Sequence, residues 1–211
     1  MRLGRPSGQD HGDAMSKRPD PLPPDAPFTH HMFGARRVAF TAMEFWRWGF
    51  SNVRENVLRG ILAEYIVARA LGLKVKTRQA WDEADLVTPE GVTIEVKSSG
   101  YLQPWGWHKR RAIRFNQLRT CLWRPERGRA ATAEYHSEVY VFCVHTGGED
   151  EEYDPLNLDQ WQFWAVSRAA LIAAGNKSFR KGALSKLGVG PVGYAALKSA
   201  VGAVATESRA A

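Results

Sequence analysis

Residues 85–97 read Asp-Leu-Val-Thr-Pro-Glu-Gly-Val-Thr-Ile-Glu-Val-Lys, and the fold turns on how they are read. Both ends are strand-like, and Pro89-Glu90-Gly91 is a turn signal. Folded as a hairpin about Glu90, the segment sets Leu86 opposite Ile94, Thr88 opposite Val92 and Asp85 opposite Glu95. Side chains alternate along a strand. Leu86, Val92, Ile94 and Val96 therefore share an apolar face, while Asp85, Glu95 and Lys97 share the other. Directly opposed residues have Cβ atoms roughly 4.5–5.5 Å apart. Two carboxylates at that separation can share one cation, with a lysine one step along. Like charges opposed on a sheet destabilise it, so something compensates. Mg²⁺ is one candidate, because one or two carboxylates, waters and phosphate oxygens commonly hold it. A solvated polar face, with Lys97 neutralising Glu95, is the other.

Working upstream, residues 52–71 predict a helix, with Ser51 or Asn52 as N-cap and Gly72 closing the C-terminus. Val57, Leu58, Ile61, Leu62, Tyr65, Ile66 and Leu71 make its broad apolar face. Glu64 lies inside that arc, and a carboxylate among apolar neighbours needs a partner or a purpose. It is either half of a buried ion pair with an arginine such as Arg59 or Arg78, or a third acid aimed at the hairpin. Gly60 and Ala63 beside it permit close approach to a sheet. Residues 73–80 read as a strand, and Asp82 and Glu83 as acids of a solvated loop. The aromatic run 40–50 reads as a short helix on the core or as a platform for nucleobases. Residues 1–30, with five prolines between positions 19 and 27, read as a disordered arm.

Downstream lies the densest basic segment. Lys109, Arg110, Arg111 and Arg114 open it, and Arg119, Arg124, Arg127 and Arg129 continue it, with Glu126 alone opposing. Such density beside a candidate metal site suggests phosphate contacts, which position a nucleic acid without reading its sequence; a solvated basic loop is the plainer alternative. Residues 138–145 and 160–166 predict strands, 167–174 a helix ended by Gly175, and 193–203 a closing helix. Lys177, Arg180, Lys181 and Lys186 form a second basic patch. The acidic loop at 149–154 lacks a calcium-binding pattern.

Composition bounds the partners. The chain has 211 residues, 44% of them hydrophobic, and a formal charge of +7. That suffices for one sizeable α/β domain and favours a polyanionic partner. Cys121 and Cys143 have neither disulfide-framework nor zinc spacing. No run approaches the ~20 apolar residues of a membrane span, and no signal-peptide core is seen at the N-terminus. The expectation is a cytoplasmic protein without membrane contact.

The order of elements is helix with Glu64, strand, hairpin with Asp85 and Glu95-Val96-Lys97, then further strand and helix. It resembles the PD-(D/E)XK nuclease superfamily, the restriction-endonuclease-like fold. The matching residues are Asp85, nine intervening residues, Glu95-Val96-Lys97, and upstream Glu64 within Gly60-Ile61-Leu62-Ala63-Glu64-Tyr65. Ala84 stands where a proline often precedes the first acid. The resemblance spans roughly residues 52–145. More closely, Phe45-Trp46-Arg47-Trp48, Ala63-Glu64-Tyr65, Trp81 with Asp85, and Tyr101-Leu102-Gln103-Pro104-Trp105 look like a largely uncharacterised bacterial family of nuclease-like proteins.

The resemblance implies a mixed central sheet flanked by helices, with residues 31–205 as one nuclease-like domain and 206–211 as a short tail. It implies that Asp85 and Glu95 bind Mg²⁺, or Mn²⁺ in its place, with the main-chain carbonyl of Val96 as a further ligand. Glu64 would complete the site directly or through water. Lys97 would orient or activate the attacking water, and Gln103 would be an added contact to substrate or water. The expected function is a Mg²⁺-dependent endonuclease hydrolysing DNA phosphodiester bonds, and the resemblance allows a homodimer that cuts two strands. The alternatives are a catalytically silent nucleic-acid-binding module of the same fold and a globular protein whose acids are structural.

Overall fold

In the computed structural model the described residues are 21–30, 36–74, 77–78, 82–105, 112–121, 123–124, 128–149 and 152–210. Strands β1 (Pro27–His30) and β2 (Arg36–Thr41) pair ahead of helices α1 (Ala42–Phe50) and α2 (Asn56–Ala70). The hairpin strands β3 (Leu86–Val87) and β4 (Thr93–Gly100) follow, then the short strands β5 (Arg114–Phe115), β6 (Trp123–Arg124) and β7 (Gly128–Arg129). The chain continues through β8 (Val139–His145), β9 (Trp161–Ser167), α3 (Arg168–Ala174), β10 (Phe179–Arg180), α4 (Lys181–Leu184), β11 (Val189–Val192) and α5 (Tyr194–Ala210).

Five strands form a mixed sheet in the order β11-β9-β8-β4-β3, in which β4 and β8 are parallel and the other pairs antiparallel. A parallel pair needs a long crossover, and residues 101–138 supply it. The sheet is covered on both faces. On one, Ile94 and Val96 of β4 pack with Ala63, Ile66 and Val67 of α2 and with Leu197, Val201 and Val204 of α5. On the other, Tyr140 and Phe142 of β8 pack with Phe115 of β5, Phe179 of β10 and Leu171 of α3. That double cover is why β8 is buried along its whole length and reads as an unbroken apolar run. Each large apolar side chain buried in these layers contributes roughly 1.5–3 kcal/mol.

Local chemistry sets the ends of the elements. Thr41 and Glu44 form a reciprocal capping box at the start of α1. Ser51 does not cap α2; its hydroxyl donates to the Arg47 carbonyl at the end of α1, 2.6 Å away. The helix expected from residue 52 therefore begins later, at Asn56. Its C-terminus closes on Gly72 at φ +73°, with Gly72 N–H donating to Arg69 and Leu73 N–H to Ala68. Ser167 caps α3, and Gly175, left-handed, ends it.

Three further expectations are corrected. The strand expected over 73–80 is absent at the described positions 73–74 and 77–78. A strand needs a neighbour, and the sheet ends at β3. Residues 27–30, assigned to a loose arm, pair with β2 as β1; the rest of that arm up to residue 20 lies outside the described residues. The closing helix runs past the expected boundary, through the supposed tail, to Ala210. Among the described residues no helix is long and apolar enough to cross a membrane.

Gly188 lies against β9, and a Cβ there would collide with the Ala165 backbone carbonyl. Gly188→Ala is expected to destabilise the protein by about 1–3 kcal/mol, through displacement of β11. A urea melt with a lowered midpoint and unchanged slope would bear this out; an unchanged midpoint would not.

Candidate metal centre

The hairpin has the expected register. Leu86 is opposite Ile94, and Val87 is opposite Thr93. Gly91, at φ +81°, makes the turn possible, and its N–H donates to the Thr88 carbonyl at 2.9 Å. β3 ends at Leu86, so Asp85 stands one step beyond the ladder, opposite Glu95. Its Oδ2 accepts the Val96 N–H at 2.7 Å, taking the place of a backbone partner.

That bond also orients Val96. Thr88 N–H donates to the Val92 carbonyl, whereas the Thr93 carbonyl accepts from Glu138 N–H on the β8 side. Backbone groups alternate in direction along a strand, so Val92, Ile94 and Val96 face β3. The Val96 carbonyl therefore points toward the edge that β3 has vacated, beside Asp85.

Glu95 and Lys97 project to the sheet face that carries Tyr140 and Phe142, their register partners on β8. Lys97 Nζ lies 2.6 Å from Glu95 Oε1, and both side chains are largely buried. Burial pushes the Asp85 carboxyl up to about 7, the nearby charge of Glu95 adds to this, the Val96 N–H opposes it, and Glu64 contributes a smaller upward push. Tyr140 is pushed up to about 12, first by burial and then by Glu95.

Glu64 is close to this group but committed elsewhere. Arg78 Nε donates to Glu64 Oε2 at 2.6 Å, and Arg78 Nη2 donates to Oε1 at 2.8 Å. Both carboxylate oxygens are thus occupied by one guanidinium fork. The ion-pair reading of Glu64 is the one realised, with Arg78 as partner; Arg59 instead donates to the Arg54 carbonyl and the Asn56 side chain. Geometry explains the separation. Helix α2 lies on the face of Ile94 and Val96, whereas Glu95 projects from the opposite face. Among the described residues no three His, Cys, Asp or Glu side chains are grouped to hold a metal ion. The carboxylates near one another are those of Asp85 and Glu95, and the Val96 carbonyl is directed to the same edge by strand alternation.

Gln103 Nε2 donates to the Gly100 carbonyl at 3.2 Å, which folds the side chain onto the end of β4. Lys109, Arg110 and Arg111 lie outside the described residues. Arg114 is described and exposed on β5, where it pairs directly with Arg180 of β10. Arg114 and Arg180, one arginine from each basic patch, are therefore neighbours in the fold. The partnership went unread because strands of two residues leave no periodicity to detect.

No protein-family model, curated protein or solved structure matches this chain.

Glu64→Gln is expected to leave any metal-dependent activity of this centre within about tenfold of the parent, since its oxygens are already spent on Arg78. The same change should lower stability by about 1 kcal/mol, because a half-buried charged hydrogen bond is lost. Loss of activity comparable to that of an Asp85 variant would place Glu64 among the ligands instead.

Proposed function

We propose that this chain is a divalent-metal-dependent endonuclease of the restriction-endonuclease-like type, hydrolysing DNA phosphodiester bonds. The carrying observation is the edge where β3 stops, at which the Asp85 carboxylate takes the Val96 N–H opposite Glu95 and Lys97. Two carboxylates and a carbonyl are hard oxygen donors, too few to fill an octahedron. That suits Mg²⁺, which keeps open positions for waters and phosphate oxygens. Mn²⁺ accepts the same donors.

Asp85 and Glu95 would hold the metal, with the Val96 carbonyl completing the protein's share. When bound, the metal lowers the pKa of a water and stabilises charge developing on the phosphoryl oxygens. Lys97 is the cation on hand at the same face. Released from Glu95, its ammonium can hold the attacking water or neutralise a non-bridging phosphate oxygen. The basic face bearing Arg114 would bind the flanking backbone.

The Glu64–Arg78 chelate favours a second reading, a catalytically silent nucleic-acid-binding module, because it removes one acid from the centre. Incubation with supercoiled plasmid and with linear, single-stranded and branched DNA separates the two. The nuclease reading expects cleavage with Mg²⁺ or Mn²⁺, none with EDTA, and none by Lys97→Ala. Binding without cleavage on every substrate would favour the silent module.

A further inference from the structure

Arg114 and Arg180 face each other directly across the β5–β10 ladder, beside the opposed pair Phe115 and Phe179. The two phenylalanines are buried in the second core layer. Alternation turns both arginines outward on one side, and both are exposed. Opposed like charges destabilise a ladder, and two-residue strands have little to offset the repulsion. Among the described residues no carboxylate pairs with either guanidinium. Lys177, just before β10, adds a third exposed cation. Lys181 does not join them: its ammonium donates to the Tyr101 hydroxyl at 3.2 Å and lies over the Tyr101 and Trp164 rings.

The position is informative. β5 packs on β4, and Phe115 stands edge-on to Phe142, the register partner of Lys97. The arginine pair therefore lies on the outer surface of the β5–β10 ladder, which covers the side of the sheet to which Glu95 and Lys97 project, with Phe115 and Phe179 between the arginines and the sheet.

We infer that Arg114 and Arg180 form a two-arginine clamp on the phosphodiester backbone of a nucleic acid, gripping it on the Glu95–Lys97 side of the sheet. The inference rests on the nucleic-acid reading above and assigns Arg180 a role in it. Two guanidiniums from opposed strands present parallel N–H donors to phosphate oxygens. The contact positions the backbone and carries no sequence preference.

Binding of labelled random-sequence duplex to the full chain, measured in EDTA across a salt series, provides the test. Arg114→Gln and Arg180→Gln should each weaken affinity roughly fivefold and lower the salt slope by about one. Each should also raise the melting temperature of the free protein by about 1–3 °C, because the repulsion is relieved. Arg180→Lys should keep the parent slope. An unchanged slope would overturn the clamp, as would a lowered melting temperature in both Gln variants, or equal Arg dependence on anionic lipid vesicles in place of nucleic acid. If the parent cleaves DNA in Mg²⁺ yet the slopes do not move, only the clamp fails. If the parent binds no nucleic acid at all, the reading beneath it fails as well.

Discussion

Asp85→Asn is expected to lower metal-dependent DNA cleavage by about 10³-fold or more, the loss of a direct ligand to a catalytic metal. Asparagine keeps the size of the side chain and can still accept the Val96 N–H through its carbonyl oxygen. The hairpin should therefore survive, and the defect should be one of metal rather than of folding. Stability supplies the control. In the metal-free protein at pH 8 the ionised Asp85 sits half-buried beside Glu95 and near Glu64. Neutral asparagine removes that repulsion, so the variant should melt at or above the parent temperature. An inactive variant that also unfolds would show only that Asp85 is structural. Full activity in a well-folded variant would remove Asp85 from the centre altogether.

The metal-free protein should lose stability as pH rises from about 4 to about 7. The Asp85 carboxyl is raised to about 7, chiefly by burial and then by Glu95, whereas an unfolded aspartate titrates near 3.9. Between those values the folded chain binds a proton that the unfolded chain has released. Stability then falls with rising pH and levels off once both states are ionised. At ~1.4 kcal/mol per pH unit the upper bound is about 4 kcal/mol, and partial exposure to solvent brings it below that. Divalent metal reverses the trend, because the ligand must be deprotonated to bind it. Mg²⁺ affinity should therefore climb toward pH 7 and flatten above it. Thermal melts with and without Mg²⁺ at pH 5, 6, 7 and 8 read both effects, and Asp85→Asn should flatten both. A parent protein whose metal-free stability is insensitive to pH, or rises across this window, would contradict the assignment.

The hairpin was legible because two local signals agreed: a period of two in the flanking residues, and a turn whose glycine adopts positive φ. Its register followed, and with it the opposition of Asp85 to Glu95 and the shared face of Glu95 and Lys97. β8 and β9 were legible as apolar runs of strand length, and α3 by its Ser167 cap and its Gly175 stop. The fate of Glu64 was not. Sequence could show that a carboxylate on the apolar arc of α2 needed a partner. Which partner it took depended on where the fold brings Arg78, fourteen residues along the chain, a placement that no local pattern sets. The start of α2 failed for a local reason, since Ser51 had two possible employers and serves α1. The Arg114–Arg180 pairing is non-local and rests on strands too short to leave a pattern.

The central claim is that a divalent metal sits where β3 ends. Anomalous diffraction from crystals grown with Mn²⁺ tests it most directly. The account predicts one strong peak at about 2.0–2.3 Å from a carboxylate oxygen of Asp85, one of Glu95 and the main-chain carbonyl of Val96, with Lys97 turned away from Glu95. Absence of a peak there at saturating Mn²⁺, with the Lys97–Glu95 pair intact, would contradict it.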